Sequence, residues 1–410
     1  MMVNKDRIWK RLEELGQIGK KDDGLYCMAL SEEENEAYKL VKRYMEEAGM
    51  TVRQDAAGNL IGRKEGKNPG APVLMTGSHI DTVYGGGIFD GRLGVIGGIE
   101  AVQVMNENGI ETEHPIEVVA YRDEEGTRFI GSYSGARYRT GRPLPGILDH
   151  VDKDGISVRV ALRSCGIDPD HVQDAALPAG YGLAHLELHI EQGAVLESLG
   201  LPAGVVTGIC TQIRGEYVIT GQAAHAGTTP IRLRKDALCA AAEAVLAIEE
   251  EAAKNDPCVA TVGKIQVKPG GVNIVPGEAV FSLDIRHLDM NVRDEVLKKI
   301  NERIDAICKK RNVQWKLNVL SEDKAAKPCS ETIQEVIGEA CREAGYPVHY
   351  MPSGAGHDSG AFVGFCPMGM IFIRSEDGLS HNGKEYSSPE DCAAGVEILY
   401  RSMIKLGKTI

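Results

Sequence analysis

The sequence predicts an α/β fold in which a larger outer domain is interrupted by a smaller inserted one. The chain has 410 residues, which is more than a single hydrophobic core usually contains. Strand-like and helix-like segments alternate toward both ends of the chain, and the middle third has its own β-α-β-β-α-β order. We therefore expect a mixed sheet flanked by helices in residues 1–210 and 323–410, and a ferredoxin-like domain in residues 211–322.

The first part of the outer domain is predicted from apolar periodicities that turn residues separate. A helix begins near Ser31, which resembles a capping box with Glu34, and the helix ends at Gly49. Apolar runs predict strands at residues 73–76, 116–121 and 184–188, and a helix at residues 94–106. Residues 142–182 contain turns and short helical pieces whose order the pattern leaves open.

The inserted domain is predicted from four strands and two helices. The strands are expected at residues 213–220, 259–267, 279–286 and 313–319, and the helices at residues 235–254 and 292–311. Beyond them the alternation of the outer domain resumes with a helix at residues 332–344 and strands at residues 348–351 and 370–374. A closing helix is expected from Pro389 to about residue 406.

Charge and composition exclude several classes of partner. The chain has 46 Lys and Arg residues against 59 Asp and Glu residues, a formal charge of −13, so we expect neither nucleic acid nor an anionic membrane surface as a partner. No apolar run of about 18 residues predicts a membrane span, and the first residues lack an apolar signal core. The 10 cysteines have no C-x-x-C spacing, which indicates free thiols in a cytoplasmic protein.

Polar side chains of the metal-ligand type stand where predicted strands meet loops. Three histidines with several carboxylates can hold two divalent cations and leave one carboxylate free as a base, which indicates metal-assisted hydrolysis. Two of the carboxylates are adjacent in sequence, so that one can bind a metal while the other moves a proton. The residues are His79, Asp81, Asp90, Glu124, Glu125, His189 and His381.

Each of these residues also has a simpler interpretation. A histidine at a strand end is more often a hydrogen-bonded loop residue, Asp90 could be a helix N-cap, and an adjacent Glu pair is usually solvated surface. Asp81 could support the site by orienting the imidazole of His79. The metal site is favoured because all of these residues follow apolar strands, in a domain whose strand ends should converge.

The motifs around these residues resemble, in this order, those of the M20-type metallohydrolases, and within them the hydantoinase/carbamoylase amidase family. The resemblance extends over essentially the whole chain, and the segment at residues 189–193 distinguishes the amidase family from ordinary M20 peptidases. The matching segments are residues 58–63, 77–83, 89–91, 123–126, 187–193, 225–230, 353–358 and 379–381.

The resemblance implies a metallopeptidase-like catalytic domain with two divalent metal ions per subunit. The family works with Zn²⁺, Mn²⁺, Co²⁺ or Ni²⁺, and mixed His and carboxylate ligands suit each of these ions. Glu124 would be the general base and later the acid, with Asp81 as a supporting catalytic residue. Two ligand sets would share Asp90 as a bridge: His79, Asp90 and His189 for one ion, and Asp90, Glu125 and His381 for the other.

The resemblance also implies that the inserted domain is a lid that forms a homodimer. From the residues alone, His225 is a loop histidine, Asn273 a turn residue and Arg286 a charge at the end of a strand. In the family, the matching histidine reaches the active site of the partner subunit and stabilises the oxyanion. The matching arginine, together with the asparagine and Gln192, binds the carboxylate of the substrate.

One further segment is assigned to substrate binding through the same resemblance. It lies between the predicted strands of the last part of the chain, and its candidate residues are Gly354, Ala355 and His357.

The implied reaction is hydrolysis of the N-carbamoyl C–N bond of an N-carbamoyl-L-amino acid, which gives the L-amino acid, CO₂ and ammonia. Allantoate amidohydrolase and β-ureidopropionase are the alternatives with the same chemistry. A non-catalytic metal-binding scaffold is disfavoured because Glu124 and each implied ligand are present. Gly85, Ala136 and Gly383 stand where the family usually has Asn, Ser and Pro; they remove no ligand, but they weaken the transfer of substrate identity.

Overall fold

The structure, a computed structural model, describes residues 2–129 and 131–408. The chain divides into two compact units, one formed by Met1–Gly208 with Pro328–Ile410 and the other by Ile209–Lys327. The catalytic role predicted for the first unit and the lid role predicted for the second stay predictions. Among the described residues, no helix is both long and apolar enough to cross a membrane.

Besides short 3-10 helices, the described residues form the α-helices α1 (Lys5–Leu15), α2 (Glu32–Glu47), α3 (Arg92–Glu107), α4 (Ser134–Arg139), α5 (Val158–Ser164), α6 (Val195–Leu199), α7 (Ala237–Ala253), α8 (Met290–Arg311), α9 (Glu331–Ala344) and α10 (Pro389–Gly407). The strands are β1 (Lys20–Lys21), β2 (Gly24–Leu25), β3 (Thr51–Gln54), β4 (Leu60–Lys64), β5 (Val73–His79), β6 (Ile116–Tyr121), β7 (Gly182–Ile190), β8 (Ala203–Ile209), β9 (Thr211–Thr220), β10 (Ala224–His225), β11 (Val259–Thr261), β12 (Ile265–Lys268), β13 (Ile274–Val275), β14 (Glu278–His287), β15 (Gln314–Glu322), β16 (Lys327–Pro328), β17 (Tyr350–Ser353) and β18 (Met368–Ile373).

The first unit is built on a mixed sheet whose main strands lie in the order β8-β18-β7-β5-β6-β4-β3. The central pairs β18–β7, β7–β5 and β5–β6 are parallel, and the outer pairs are antiparallel. Both faces are covered. Leu74 packs into a core with α1, α3 and α10, and its neighbour Met75 faces the opposite core with Ala136 and Phe362. Burial on both faces explains why these strands read as continuous apolar runs.

The second unit is an antiparallel sheet with the strand order β11-β14-β9-β15, on which β12 also pairs with β14. In β14, buried and half-buried residues alternate strictly, because one face of the strand turns toward the core. That core contains Phe281 and Leu283 of β14, Ala244 of the alanine-rich helix α7, and Ile300 and Ile304 of α8. The small side chains of α7 let this helix lie close to the sheet.

The predicted N-terminal elements require two corrections. A helix precedes the one predicted at Ser31: α1 begins after the N-cap Asn4 and buries Ile8 and Leu12. The capping box forms only in part. The hydroxyl of Ser31 accepts the N–H of Glu34, but the Glu34 carboxylate accepts the N–H of Leu30 and pairs with Arg122 instead of returning to Ser31. A buried guanidinium attracts the carboxylate more strongly than a backbone amide does.

Two predicted strands also differ from the observed ones. The single strand expected at residues 259–267 is broken into β11 and β12, because the hydroxyl of Ser282 accepts the N–H groups of Gly263 and Lys264 and takes them out of the ladder. The strand expected at residues 348–351 is β17, Tyr350–Ser353. Its pairing with β8 continues from the point where the carbonyl of His349 accepts the N–H of Val205.

Candidate metal centre

The candidate metal ligands of the first unit converge because three neighbouring strands run parallel. His79 is the last residue of β5, Glu124 follows the end of β6, and His189 is the penultimate residue of β7. Since β5 pairs in parallel with both β6 and β7, their carboxyl ends meet at one edge of the sheet. Asp90 reaches the same edge from the loop before α3, whose N-cap is Gly91, so Asp90 is not the helix cap.

The two buried histidines present the same ring atom to Asp90. The Nδ1 atoms of His79 and His189 lie 3.0 Å from the carbonyl of Asp81 and 2.9 Å from the carbonyl of Ile190. A neutral imidazole that donates from Nδ1 keeps a lone pair on Nε2. The Nε2 atoms lie 3.4 Å and 3.2 Å from Oδ1 of Asp90. Lone pairs that face a carboxylate oxygen are well placed to share a cation with it.

A second group of ligand atoms lies on the other side of Asp90. Nε2 of His381 is 3.5 Å from Oδ2 of Asp90 and 3.5 Å from Oε2 of Glu125. In each group, His79–Asp90–His189 and Asp90–Glu125–His381, the ligand atoms lie within 4.8 Å of one another. Asp90 therefore offers one oxygen to each group, which is the arrangement of a bridging carboxylate.

The electrostatics of the cluster also fit cations. Burial raises the pKa of Glu124 well above its ordinary value, and burial together with Asp90 and Glu124 does the same for Glu125. Burial alone would raise the pKa of Asp90, but when His189 and His79 are protonated their hydrogen bonds and charge outweigh burial and hold this pKa well below the ordinary value. A bound cation would take the place of those protons between the neutral rings and Asp90. Crowded buried carboxylates repel one another unless positive charge lies between them. The nitrogen and oxygen donors present fit one or two divalent cations.

Asp81 contacts the main chain of the adjacent glutamates. Its Oδ1 accepts the N–H of Glu124 and its Oδ2 accepts the N–H of Glu125, each at 3.3 Å. The Oε2 atom of Glu124 lies 3.7 Å from Nε2 of His79. The carboxylate predicted to be free therefore stands beside the first group of ligand atoms, and Glu125 stands with the second. Both glutamates also lie with His79 in a further group of possible ligand atoms.

Strained backbone marks the same region. Asp123, Tyr133, Gln192 and His381 all have positive φ angles of 53–64°. A non-glycine residue in this conformation costs of the order of 1–3 kcal/mol and is held there by its surroundings. Such residues concentrate at functional sites. Here Asp123 precedes the candidate base, Tyr133 donates its N–H to the carbonyl of that base, and Gln192 and His381 contact Asp90.

Comparison with known proteins identifies the family. The model of peptidase family M20/M25/M40 matches residues 75–405. This chain belongs to the M20 family. It is 48% identical to an N-carbamoyl-L-amino acid amidohydrolase of Geobacillus stearothermophilus, over 99% of this chain and 100% of the relative. It is 40% identical to an N-carbamoyl-L-amino-acid amidohydrolase of Pseudomonas sp. (strain NS671), over 98% of each chain.

The fold comparison agrees with the family assignment. The crystal structure of an amidase of the hydantoinase/carbamoylase family from Burkholderia multivorans is 34% identical and superposes with a TM-score of 0.94. The match covers 99% of this chain and 98% of that structure. The predicted M20-type and hydantoinase/carbamoylase resemblance is confirmed, and so is the mixed sheet with flanking helices.

In this M20-family chain, the side chain of Gln192 contacts the predicted bridging ligand. Its Nε2 lies 2.8 Å from Oδ2 of Asp90 and 3.3 Å from Oγ of Ser380. Its Oε1 is buried and has no hydrogen-bond partner among the described residues. Gln192 therefore supports Asp90 with one end of its amide and offers an acceptor with the other.

The segment predicted to bind substrate lies against the same cluster. The ring of His357 packs edge-on against His189 at a centroid distance of 4.5 Å, and its Nε2 lies 2.8 Å from Oγ of Ser353. Burial holds the pKa of His357 well below its ordinary value, so the ring is neutral. The same Ser353 hydroxyl contacts the N–H and the carbonyl of Ala355, which fixes the turn around Gly354.

The candidate residues of the second unit fall into two places. Nδ1 of His225 accepts the N–H groups of Gly227 and Thr228, so the proton of the neutral ring is on Nε2. Asn273 is close by, because its carbonyl accepts the N–H of Ala226. Arg286 lies on β14.

The guanidinium of Arg286 already has a carboxylate partner within the second unit. Its Nε and Nη2 each lie 2.8 Å from the carboxylate oxygens of Asp284. Arg214 also contacts Asp284, at 3.1 Å. Asp284 lies two residues before Arg286 on the same face of β14, and its carboxylate therefore sets the orientation of the guanidinium.

The departures from the family pattern have structural explanations. A Cβ at Gly383 would lie 2.2 Å from the carbonyl oxygen of Asp23, so a side chain there would force this loop or the backbone of Asp23 to shift. Gly85 has φ +66° and faces the same Asp23. Ala136 is fully buried in an apolar cluster with Tyr121, where burying a serine hydroxyl without a hydrogen-bond partner would cost free energy.

Sequence reasoning missed two buried glutamates at this site. Oε1 of Glu187 accepts the hydroxyl of Ser78, and Oε2 accepts the N–H of Ser359. The sequence could have indicated Glu187, because it lies two residues before His189 and therefore shares its face of β7. Glu385 contacts the loop of Asp90, and its only signal is its position four residues after His381.

Proposed function

We propose that this amidohydrolase hydrolyses the N-carbamoyl C–N bond of N-carbamoyl-L-amino acids. The observation that carries the proposal is the position of Glu124 beside the first of two groups of ligand atoms that share Asp90. The names of the relatives that are 48% and 40% identical over nearly the whole chain support the same substrate class. The products would be the L-amino acid, CO₂ and ammonia.

Two divalent cations are proposed for the centre, with Zn²⁺, Mn²⁺, Co²⁺ and Ni²⁺ as candidates. Bound ions would polarise the carbamoyl oxygen and lower the pKa of water at the site. One ion would be held by His79, Asp90 and His189 and the other by Asp90, Glu125 and His381.

Glu124 would move the proton of the reaction. Its carboxylate takes a proton from the attacking water while the water oxygen bonds to the carbamoyl carbon. The same carboxyl then gives the proton to the amino-acid nitrogen as the C–N bond breaks. The released carbamic acid decomposes to CO₂ and ammonia. Asp81 serves this step by holding the main chain of Glu124 at the end of β6.

The second unit is proposed to be a ferredoxin-like lid and the dimerisation domain. We propose that the Nε2–H group of His225 donates a hydrogen bond to the oxyanion in the active site of the partner subunit. Arg286 and Asn273 would bind the substrate carboxylate, and Asp284 would orient the guanidinium for that contact. Gln192 would join them by turning its Nε2 from Asp90 to the substrate, because its Oε1 accepts hydrogen bonds and a carboxylate has none to donate. We place the enzyme in the cytoplasm because none of its ten cysteines forms a disulfide bond.

The segment with Gly354, Ala355 and His357 is proposed as a wall of the substrate site. Tyr133 adds a phenol to this wall, because a Cβ at Gly356 would lie 1.6 Å from its hydroxyl oxygen. Glycine at position 356 is therefore required for the tyrosine to occupy this place.

The proposal is tested by ammonia release from the protein reconstituted with Mn²⁺, Co²⁺ or Zn²⁺. N-carbamoyl-L-methionine, N-carbamoyl-β-alanine and allantoate are compared side by side, with the Glu124→Gln protein as the blank. Turnover of N-carbamoyl-L-methionine with little on the other two is the expected result. Faster ammonia release from allantoate or N-carbamoyl-β-alanine would make that compound the proposed substrate instead. No ammonia release from any of the three would contradict the proposed reaction.

A further inference from the structure

A buried carboxylate outside the proposed ligand sets joins the two loops that carry Asp90 and His381. Glu385 lies between β18 and α10 and is 5% exposed. Its Oε1 lies 3.0 Å from the backbone nitrogen of Phe89 and 3.0 Å from that of Asp90. Its Oε2 lies 2.9 Å from the hydroxyl of Ser380, the residue before His381.

Two of the contacts restrain Asp90 through its backbone, and the third restrains His381 through the residue before it. Two consecutive N–H groups donated to one oxygen fix the peptide plane before Asp90 and therefore the direction of its side chain. The hydroxyl of Ser380 also lies 2.9 Å from Oδ2 of Asp90. The Ser380 hydroxyl thus connects the carboxylate of Asp90 with the segment that places His381 in its left-handed conformation.

The surrounding sequence makes room for this carboxylate. A Cβ at Gly87 would lie 2.3 Å from Oε1 of Glu385, so a side chain at position 87 would displace the carboxylate from the two N–H groups. Burying a carboxylate is costly unless it is hydrogen-bonded. Here two backbone N–H groups and the Ser380 hydroxyl, whose one proton Glu385 shares with Asp90, accompany the burial. All three groups belong to loops of the proposed centre.

We infer that Glu385 is a positioning residue that holds Asp90 and His381 at the separation needed to bind two cations. This inference rests on the proposed metal centre. Residues that orient metal ligands from behind typically contribute about 10- to 100-fold to metal affinity. Glu385 would act on both ligand sets, because Asp90 belongs to both.

The test compares Zn²⁺ binding to metal-free proteins by competition with a chromophoric chelator. The variants are Glu385→Ala, Glu385→Gln and Gly87→Ala. The matched control is Glu397→Ala, because Glu397 is also a buried glutamate, 1% exposed, and accepts the N–H groups of Met2 and Val3 in the same unit. The unfolding temperature of each metal-free protein is measured by circular dichroism.

Glu385→Ala and Gly87→Ala are expected to weaken Zn²⁺ binding at one or both sites by about 10- to 100-fold. Glu385→Gln is expected to stay within about threefold of the wild type, since its amide oxygen still accepts both N–H groups and its amide nitrogen can donate to Ser380. Glu397→Ala is expected to keep both affinities, even if its unfolding temperature falls.

Three results would overturn the inference. The first is that folded Glu385→Ala binds Zn²⁺ as tightly as the wild type. The second is that Glu385→Gln binds Zn²⁺ as weakly as Glu385→Ala. If Glu385→Ala does not fold, unchanged affinity in Gly87→Ala is the third. Failure of the wild-type protein to bind two Zn²⁺ per chain would contradict the proposed centre itself, and this is measured before the variants.

Discussion

Oδ1 of Asp81 lies 3.3 Å from the backbone nitrogen of Glu124 and accepts its N–H. The second oxygen does the same for the next residue, so one side chain holds the main chain of both adjacent glutamates. The carbonyl of Asp81 also accepts from Nδ1 of His79. Asp81 therefore connects the end of β5, where a proposed ligand stands, with the proposed base after β6.

Replacing Asp81 by Asn is expected to lower kcat by about tenfold or more, because an amide nitrogen would face one of the two N–H groups and move Glu124. Steady-state kinetics with metal analysis measure this effect. Asp154→Asn, an exposed aspartate of the same unit, is the control. An unchanged kcat in Asp81→Asn would show that its contact with the glutamate backbone does not serve the reaction.

Glu124→Gln is expected to retain both metal ions and to lose at least about 10²-fold in turnover, the range for a positioned acid–base group. The matching variant Glu125→Gln is expected to lose metal, because the ligand atoms of Glu125, His381 and Asp90 form one group. Metal content is read by atomic emission after gel filtration. The reverse pattern would mean that the roles of the two glutamates are exchanged.

Arg286→Lys is expected to raise KM for N-carbamoyl-L-amino acids by about tenfold or more with a smaller change in kcat, because lysine cannot form two parallel hydrogen bonds to a carboxylate. Arg214→Lys is a matched control, since Arg214 contacts the same Asp284. Equal effects of the two substitutions would indicate a structural role for Arg286 rather than substrate binding.

Mixing His225→Ala protein with Glu124→Ala protein is expected to restore activity. A heterodimer would contain one site with an intact Glu124 and an intact His225 from the partner subunit. The control mixture pairs His225→Ala with the double variant, which can form no intact site. Absence of recovery, with subunit exchange verified by native mass spectrometry, would place His225 in its own subunit.

His185 is expected to make stability depend on pH. Burial, and secondarily Arg139, lower its pKa to about 3, while its ordinary value is 6.5. Between these values the unfolded chain binds the proton and the folded chain does not, so this residue contributes a rise of up to about 1.4 kcal/mol per pH unit to the free energy of unfolding.

His185→Gln should flatten this slope in urea titrations between pH 4.5 and pH 6.5, conditions chosen to lie inside that interval. It should also lower stability at pH 7, because the ring contacts Tyr121 and Ser359 at 2.9 Å each. A slope equal to that of the wild type would mean that His185 titrates normally in the folded protein.

Much of this molecule could be predicted because its signals are local. The apolar runs before His79 and Glu124 are long enough to identify strands, and the alternation in β14 identifies a strand with one buried face. Boundaries were less accurate where a distant partner decides them. Ser282 breaks the strand predicted at residues 259–267, and nothing within that segment except Gly263 indicates the break.

The sequence by itself determined the family, the mixed α/β architecture of the first unit and the set of polar residues at the strand ends. Only the tertiary structure decided which of them touch. It placed one oxygen of Asp90 with each ligand group, Gln192 on Asp90, and Glu385 on the amides of a loop 295 residues earlier. The reason is physical: periodicity reports which face of an element is buried, whereas a hydrogen bond to a distant backbone N–H leaves no pattern in either segment.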